Sequence, residues 1–217
     1  MSKLEYTRKE LRFAGSVAIA GALSMFAGAA CWGASGTDLW SALANNQIDQ
    51  HLHQVTAVKS LLVANTSFWI LGVLLMGTAG NLMSGYCHSG RGIAKLATTV
   101  ISAAVPMAIV AFITMLAPAI YTPSPDTAYL TGWIGTRLDD LATALIIGAF
   151  PLLISIAGRN DWVPGWLLIF GVIAGIAGVV AIIAMLTAIV PLGFIIIPVG
   201  LGWMIAAGIV LLKKKEI

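Results

Sequence analysis

The stretch "GWLLIFGVIAGIAGVVAIIAMLTAIVPLGFIIIPVGLGWMIAAGIVLLK", residues 165–213, carries no charge before its final lysine. Read as one helix, the uncharged run between Asp161 and Lys213 would be about 75 Å long at 1.5 Å per residue, more than twice the hydrocarbon thickness of a bilayer. It must therefore reverse. The reversal is expected at "TAIVPLG", residues 187–193, because Pro191 cannot extend a helix but suits a first turn. The run then becomes two spans, 163–187 and 191–212, joined by an apolar turn lying shallow in the interface.

Working outward, four more apolar runs of about 20 residues or longer can be read, at 13–33, 60–83, 96–121 and 133–157. They lack the in/out alternation of barrel strands and are too long for tilted strands, so the expectation is an all-α, polytopic bundle of six transmembrane helices. Composition agrees. Of 217 residues 59% are hydrophobic and only 10% charged, against about 25% charged in a soluble domain. The first run is too long for the apolar core of a cleavable signal, so it is expected to stay as a span.

A net charge of +3 could suggest a nucleic-acid partner, but the basic residues sit at span ends, where they report orientation. With the N-terminus in the cytoplasm, Lys3, Arg8, Lys9, Arg12, Arg91, Lys95, Arg159 and Lys213 to Lys215 lie inside, while Lys59 and Arg137 lie outside. That bias predicts an inner (plasma) membrane protein with both termini cytoplasmic: a basic segment 1–12, a membrane domain 13–212 and a basic tail 213–217. No nucleic-acid partner is expected. Cys31 and Cys87 then fall at opposite faces, too far apart to pair, and read as free packing residues.

Many of the 23 glycines sit inside spans. Gly171 and Gly175 form GxxxG, and Gly178 nearly continues the face; such grooves let helix backbones approach closely. They serve either packing within the bundle or a face for a membrane-protein partner or a second copy.

The polar stretch "NNQIDQHLHQVTAVK", residues 45–59, interrupts the apolar pattern. As a helix it places Ile48, Leu52, Val55 and Val58 on one stripe and Asp49, His53 and Thr56 on another side. His51 and His53 then stand about 160° apart, a poor chelating pair, since zinc-binding helices space histidines at i and i+4. A metal site would need Asp49 and His53 with Asp139 brought from another helix. The plainer expectation is an interfacial amphipathic helix with its polar side in water.

"GTRLDDLATAL" places Arg137, Asp139 and Asp140 at or about a turn below the outer interface. Arg137 and Asp140, at i and i+3, can pair. Asp139 points about 100° away, towards Lys59 or His51 at the second span. Ionisable groups inside a membrane order helix ends or serve a ligand. The ligand set read this way is Asp49, His51, Lys59, Arg137, Asp139 and Asp140.

The chain has no P-loop, G-x-S-x-G, CxxC or H-E-x-x-H. No inverted repeat is visible, and no carboxylate chain crosses the midplane. The basic "RKELRFAG" opening of the first span, the polar outer loop, the charged start of the fourth span and the glycine-rich final hairpin together resemble a bacterial family of small six-helix integral membrane proteins, a domain of unknown function. The likeness covers most of the chain. It implies the six-helix fold and brings no activity and no functional residues.

From these residues the leading expectation is a non-catalytic accessory or partner-binding membrane subunit. The alternatives are an outward-facing protein that senses or carries a small-molecule or lipid ligand, and a metal-dependent hydrolase built on Asp49, His53 and Asp139. No cofactor is expected beyond bound lipid.

Overall fold

The structure, a computed structural model, describes residues 7–121, 123–187, 189 and 194–214. Its elements are α1 (Arg8–Ser35), α2 (Leu39–Ala44), α3 (Ile48–Ala57), α4 (Lys59–Gly85), α5 (Arg91–Tyr121), α6 (Pro125–Ala157), α7 (Gly165–Leu186) and α8 (Ile196–Lys213). Among the described residues six helices, α1 and α4 to α8, are long and apolar enough to cross a membrane. The chain is a multi-pass helical membrane protein. Large apolar side chains such as Leu23, Leu71, Ile113, Ile169, Ile176 and Val179 are exposed around the bundle, an arrangement that only lipid can satisfy.

The uncharged run does split in two. Trp203 meets Leu167, Gly202 meets Phe170 and Ile196 meets Gly178, so α8 runs antiparallel to α7. Within the expected reversal at 187–193, residues 188 and 190–193 lie outside the described residues, as do residues 1–6 of the basic N-terminal segment and 215–217 of the tail.

Helix ends follow local chemistry. Thr7 and Glu10 form a capping box that starts α1 at Arg8, five residues before the expected span. The additional turn is held by polar end groups rather than apolar content. Gly36, at φ 66°, closes α1 in the left-handed conformation that a side chain would strain.

The largest departure from expectation is α6. Ser124 caps it, Pro125 takes its first turn and Asp126 faces the positive helix end, so it begins at Pro125 rather than at 133. Arg137, Asp139 and Asp140 therefore lie about 18 to 22 Å along the helix at 1.5 Å per residue, and not at its start. This helix is also the centre of the bundle: over half of its most apolar 18-residue stretch is buried, the largest such share among the six spans. It contains a π-turn, Leu145–Ala149, in which the Phe150 N–H donates to the Leu145 carbonyl five residues back. Pro151 has no N–H for the Ile147 carbonyl, and Gly200 of α8 packs so close to that carbonyl that a Cβ there would collide with it.

Close glycine contacts fix the other pairs. Gly21 and Gly28 of α1 pack against Gly72, Asn65 and Trp69 of α4, beside hydrogen bonds from Ser24 to the Phe68 carbonyl (2.7 Å), from Asn65 to the Gly28 carbonyl (2.9 Å) and from Trp69 to the Met25 carbonyl (3.3 Å). Gly15 of α1 meets Gly208 of α8 backbone to backbone. Gly171, Gly175 and Gly178 all face α6, against Ser155, Leu152 and Gly148. This stripe is thus used within the chain. Ser155 in turn accepts the buried Trp203 indole N–H at 3.1 Å, tying α6 to α8.

Both described chain ends lie at one face. The Tyr86 hydroxyl donates to the Glu10 carbonyl (3.1 Å), and Lys214 Nζ donates to the Asp161 carbonyl (3.0 Å). The Asp161 carboxylate accepts from the Ser89 N–H and hydroxyl (3.0 and 2.9 Å). Arg8, Lys9, Arg12, Arg91, Lys95, Arg159 and Lys213 sit on the helix ends and the loop at this face, and Lys59 begins α4 at the other. Buried Cys87 and half-buried Cys31 are free, near opposite faces.

Candidate functional site

The face opposite the chain ends is capped by α2 and α3. Asp38 caps α2 by accepting the Ser41 N–H (3.2 Å) and hydroxyl (2.5 Å). On α3 the apolar stripe behaves as its spacing requires: Ile48 and Val55 are buried and Leu52 and Val58 half-buried, while Asp49, His53 and Thr56 are exposed. His51 is buried and His53 exposed, as the 160° separation demands.

Below this cap a cavity of about 330 Å³ opens between the halves of the spanning helices nearest the cap. Its walls are aliphatic and aromatic. Trp32 ends α1, Trp40 lies on α2, Trp69 on α4 and Phe112 on α5, and Phe194 precedes α8. Three of these form a contiguous group, with Trp32 and Phe194 at 5.6 Å, Trp32 and Trp40 at 5.9 Å edge-to-face, and Trp40 and Phe194 at 6.1 Å. Trp69 packs against Phe112 at 5.2 Å with the rings tilted by 44°. Such pairs add to their burial and hold the walls in place. Tyr129 and Trp133 of α6 line the cavity while remaining about half exposed.

The polar part of the lining comes from α6. Arg137 Nη1 lies 3.0 Å from Asp140 Oδ2, the i,i+3 pair that the spacing predicts. Asp140 Oδ1 also accepts the Trp40 indole N–H at 3.2 Å, so one carboxylate ties the α2 cap to the central helix. Asp139 is 9% exposed and accepts from the Thr143 hydroxyl at 3.3 Å. Among the described residues it makes no ion pair.

The six-residue ligand set is divided by the fold. Arg137, Asp139 and Asp140 line the cavity together. Asp49 and Lys59 are exposed, away from the lining, so Asp139 does not meet Lys59. His51 does not meet Asp139 either; it borders a second, smaller cavity of about 40 Å³ beside Asn65 and Thr66, which shares the walls Trp32, Trp40, Trp69 and Phe112. Burial holds the His51 imidazole below its ordinary range, partly offset by the Asp38 carboxylate. The metal set is not assembled: Asp49 and His53 are exposed on the cap and Asp139 is enclosed on α6. No group of three His, Cys, Asp or Glu able to hold a metal ion occurs among the described residues.

Sequence reasoning missed the tryptophans. Trp32, Trp69 and Trp133 fall in the capped halves of their spans and Trp40 in the cap itself, near an interface where anchoring places tryptophan in any membrane protein. Their common role appears only when four separate helices converge.

Fold and site together define a multi-pass helical bundle with an aromatic, charge-bearing cavity in one half of its thickness. No family model, curated protein or solved structure matches the chain.

Proposed function

We propose that this protein binds a small, largely apolar ligand in the outer half of the bilayer, to sense or carry it, without chemical conversion. The observation that carries this reading is the cavity itself: about 330 Å³, the lower end of the size range of small-molecule sites, with apolar walls and a few convergent polar groups. The contacts among its aromatic side chains favour a preformed site. The basic face that gathers the chain ends supports a cytoplasmic position for both termini by the positive-inside rule, which turns the cavity towards the outside of a plasma membrane. Reporter fusions at the two ends should therefore both read as cytoplasmic.

The accessory-subunit reading draws no support from the glycine stripe on α7, because Gly171, Gly175 and Gly178 are covered by α6. The hydrolase reading lacks its ligand set. The test is native mass spectrometry of the protein extracted from its own membrane, compared with an Ala184→Phe variant. Ala184 is buried on the cavity wall, so a phenyl group there should fill the space and abolish a stoichiometric small-molecule adduct. Identical adducts on both proteins would place the bound molecule elsewhere and end this reading.

A further inference from the structure

We infer that the ligand is an organic cation, an ammonium-type head on an apolar body, with Asp139 as its counter-charge. The inference rests on the pocket reading and adds the chemical class. Counted as ordinary ions, Arg137, Asp139 and Asp140 leave the cavity one negative charge in excess. The distribution of that charge matters more than its sum. Arg137 and Asp140 are joined at 3.0 Å, and Asp140 takes a second hydrogen bond from Trp40, so these two charges are already answered inside the protein. Asp139 is more deeply enclosed and has, among the described residues, one neutral hydrogen-bond partner, Thr143. A carboxylate in that position is expensive unless a cation reaches it.

The walls select the same sign. Indole and phenol faces attract cations through their quadrupoles, most strongly where water is excluded, and tryptophan is the best of them. Four tryptophans and a tyrosine border this space. An anionic head would find Arg137, the basic side chain among the described lining residues, already engaged by Asp140. A neutral apolar molecule would fill the volume but bring Asp139 no opposite charge. A whole two-chain lipid exceeds a cavity of about 330 Å³, whereas a free lipophilic amine or the choline end of a lipid headgroup offers the required chemistry.

The experiment follows intrinsic tryptophan fluorescence of the purified, full-length protein in nanodiscs, titrated with four soluble probes. These are benzyltrimethylammonium, benzyl alcohol, benzenesulfonate and glycerophosphocholine. The cation should bind about tenfold or more tightly than the neutral and anionic ring compounds, as expected for a desolvated cation on aromatic and carboxylate partners. Asp139→Asn should remove that preference, while Asp49→Asn, on the exposed cap, should leave it intact. Glycerophosphocholine binding at least as tightly as benzyltrimethylammonium supports the cation and identifies a lipid headgroup as its source; weaker binding assigns a free amine. Equal affinity for cation and neutral probe in the wild type overturns the cation while the pocket stands, and it does so even where Asp139→Asn fails to accumulate. Silence from all four probes overturns the pocket as well.

Discussion

The contact between α1 and α8 gives the sharpest prediction about the fold. A Cβ on Gly15 would stand 2.6 Å from the Gly208 carbonyl oxygen, and one on Gly208 would stand 2.7 Å from the Gly15 oxygen and from Ile19 Cγ1. Non-bonded carbon contacts settle near 3.5 Å, so an alanine at either position needs roughly 0.8 Å more room. The obstructing atom in each case is backbone, which no rotamer change can move aside. The helices must part at this level, and Leu11, Ala14 and Ala18, all fully buried beside it, lose contact. A radial gap of that size forfeits a quarter to a half of each affected dispersion well. Overpacking of this kind costs about 1–3 kcal/mol, offset by the roughly 0.5–1 kcal/mol by which alanine exceeds glycine in a helix. Each single variant should therefore be destabilised by about 1–2 kcal/mol. Because both act by separating one pair of helices, the double variant should lose less than the sum. Gly33→Ala and Gly92→Ala, where an added Cβ meets nothing within 4 Å, should be neutral or slightly stabilised. Equilibrium unfolding in mixed micelles, followed by helical circular dichroism, reads all five proteins. Midpoints for Gly15→Ala and Gly208→Ala equal to those of the two controls would refute the backbone-to-backbone contact.

Other consequences concern the α2–α3 cap and the thiols. Asp140→Ala removes the acceptor of the Trp40 N–H and the carboxylate beside Arg137; it should cost about 2–3 kcal/mol and red-shift tryptophan emission. Asp140→Asn, which keeps an acceptor for Trp40, should lose less in the same unfolding assay. Burial lowers the His51 pKa below its unfolded value, so the unfolded chain takes up the proton first as pH falls. Stability of the α2–α3 cap should therefore be constant above about pH 6.5 and decline below it, as amide exchange between pH 8 and pH 5 can measure. His51→Gln should flatten that profile; an unaltered slope would remove His51 as its cause. Burial pushes the Cys87 thiol up to about 11, leaving far less than about 1% thiolate at neutral pH. In mass-spectrometric labelling of the native protein, maleimide should modify Cys31 well before Cys87, and the two rates should converge once the chain is unfolded.

The sequence alone determined the number of spans, because crossing a hydrocarbon slab requires about 20 consecutive apolar residues and that requirement is local. It also determined the opposite faces of His51 and His53 and the Arg137–Asp140 pair, since both follow from the 100° step of a single helix. The early start of α6 was not legible: capping by Ser124 and Pro125, rather than hydropathy, extends the helix, so that Asp139 lies well within it rather than near its start. Nor was the convergence of Trp32, Trp40, Trp69 and Phe194, or the choice of which glycine faces meet. Lipid and protein interior are equally apolar, so in a bilayer the apolar pattern of a helix does not tell its buried side from its exposed one. Only the fit of small residues and hydrogen bonds between helices distant in sequence decides which sides turn inward, and with them where the cavity lies.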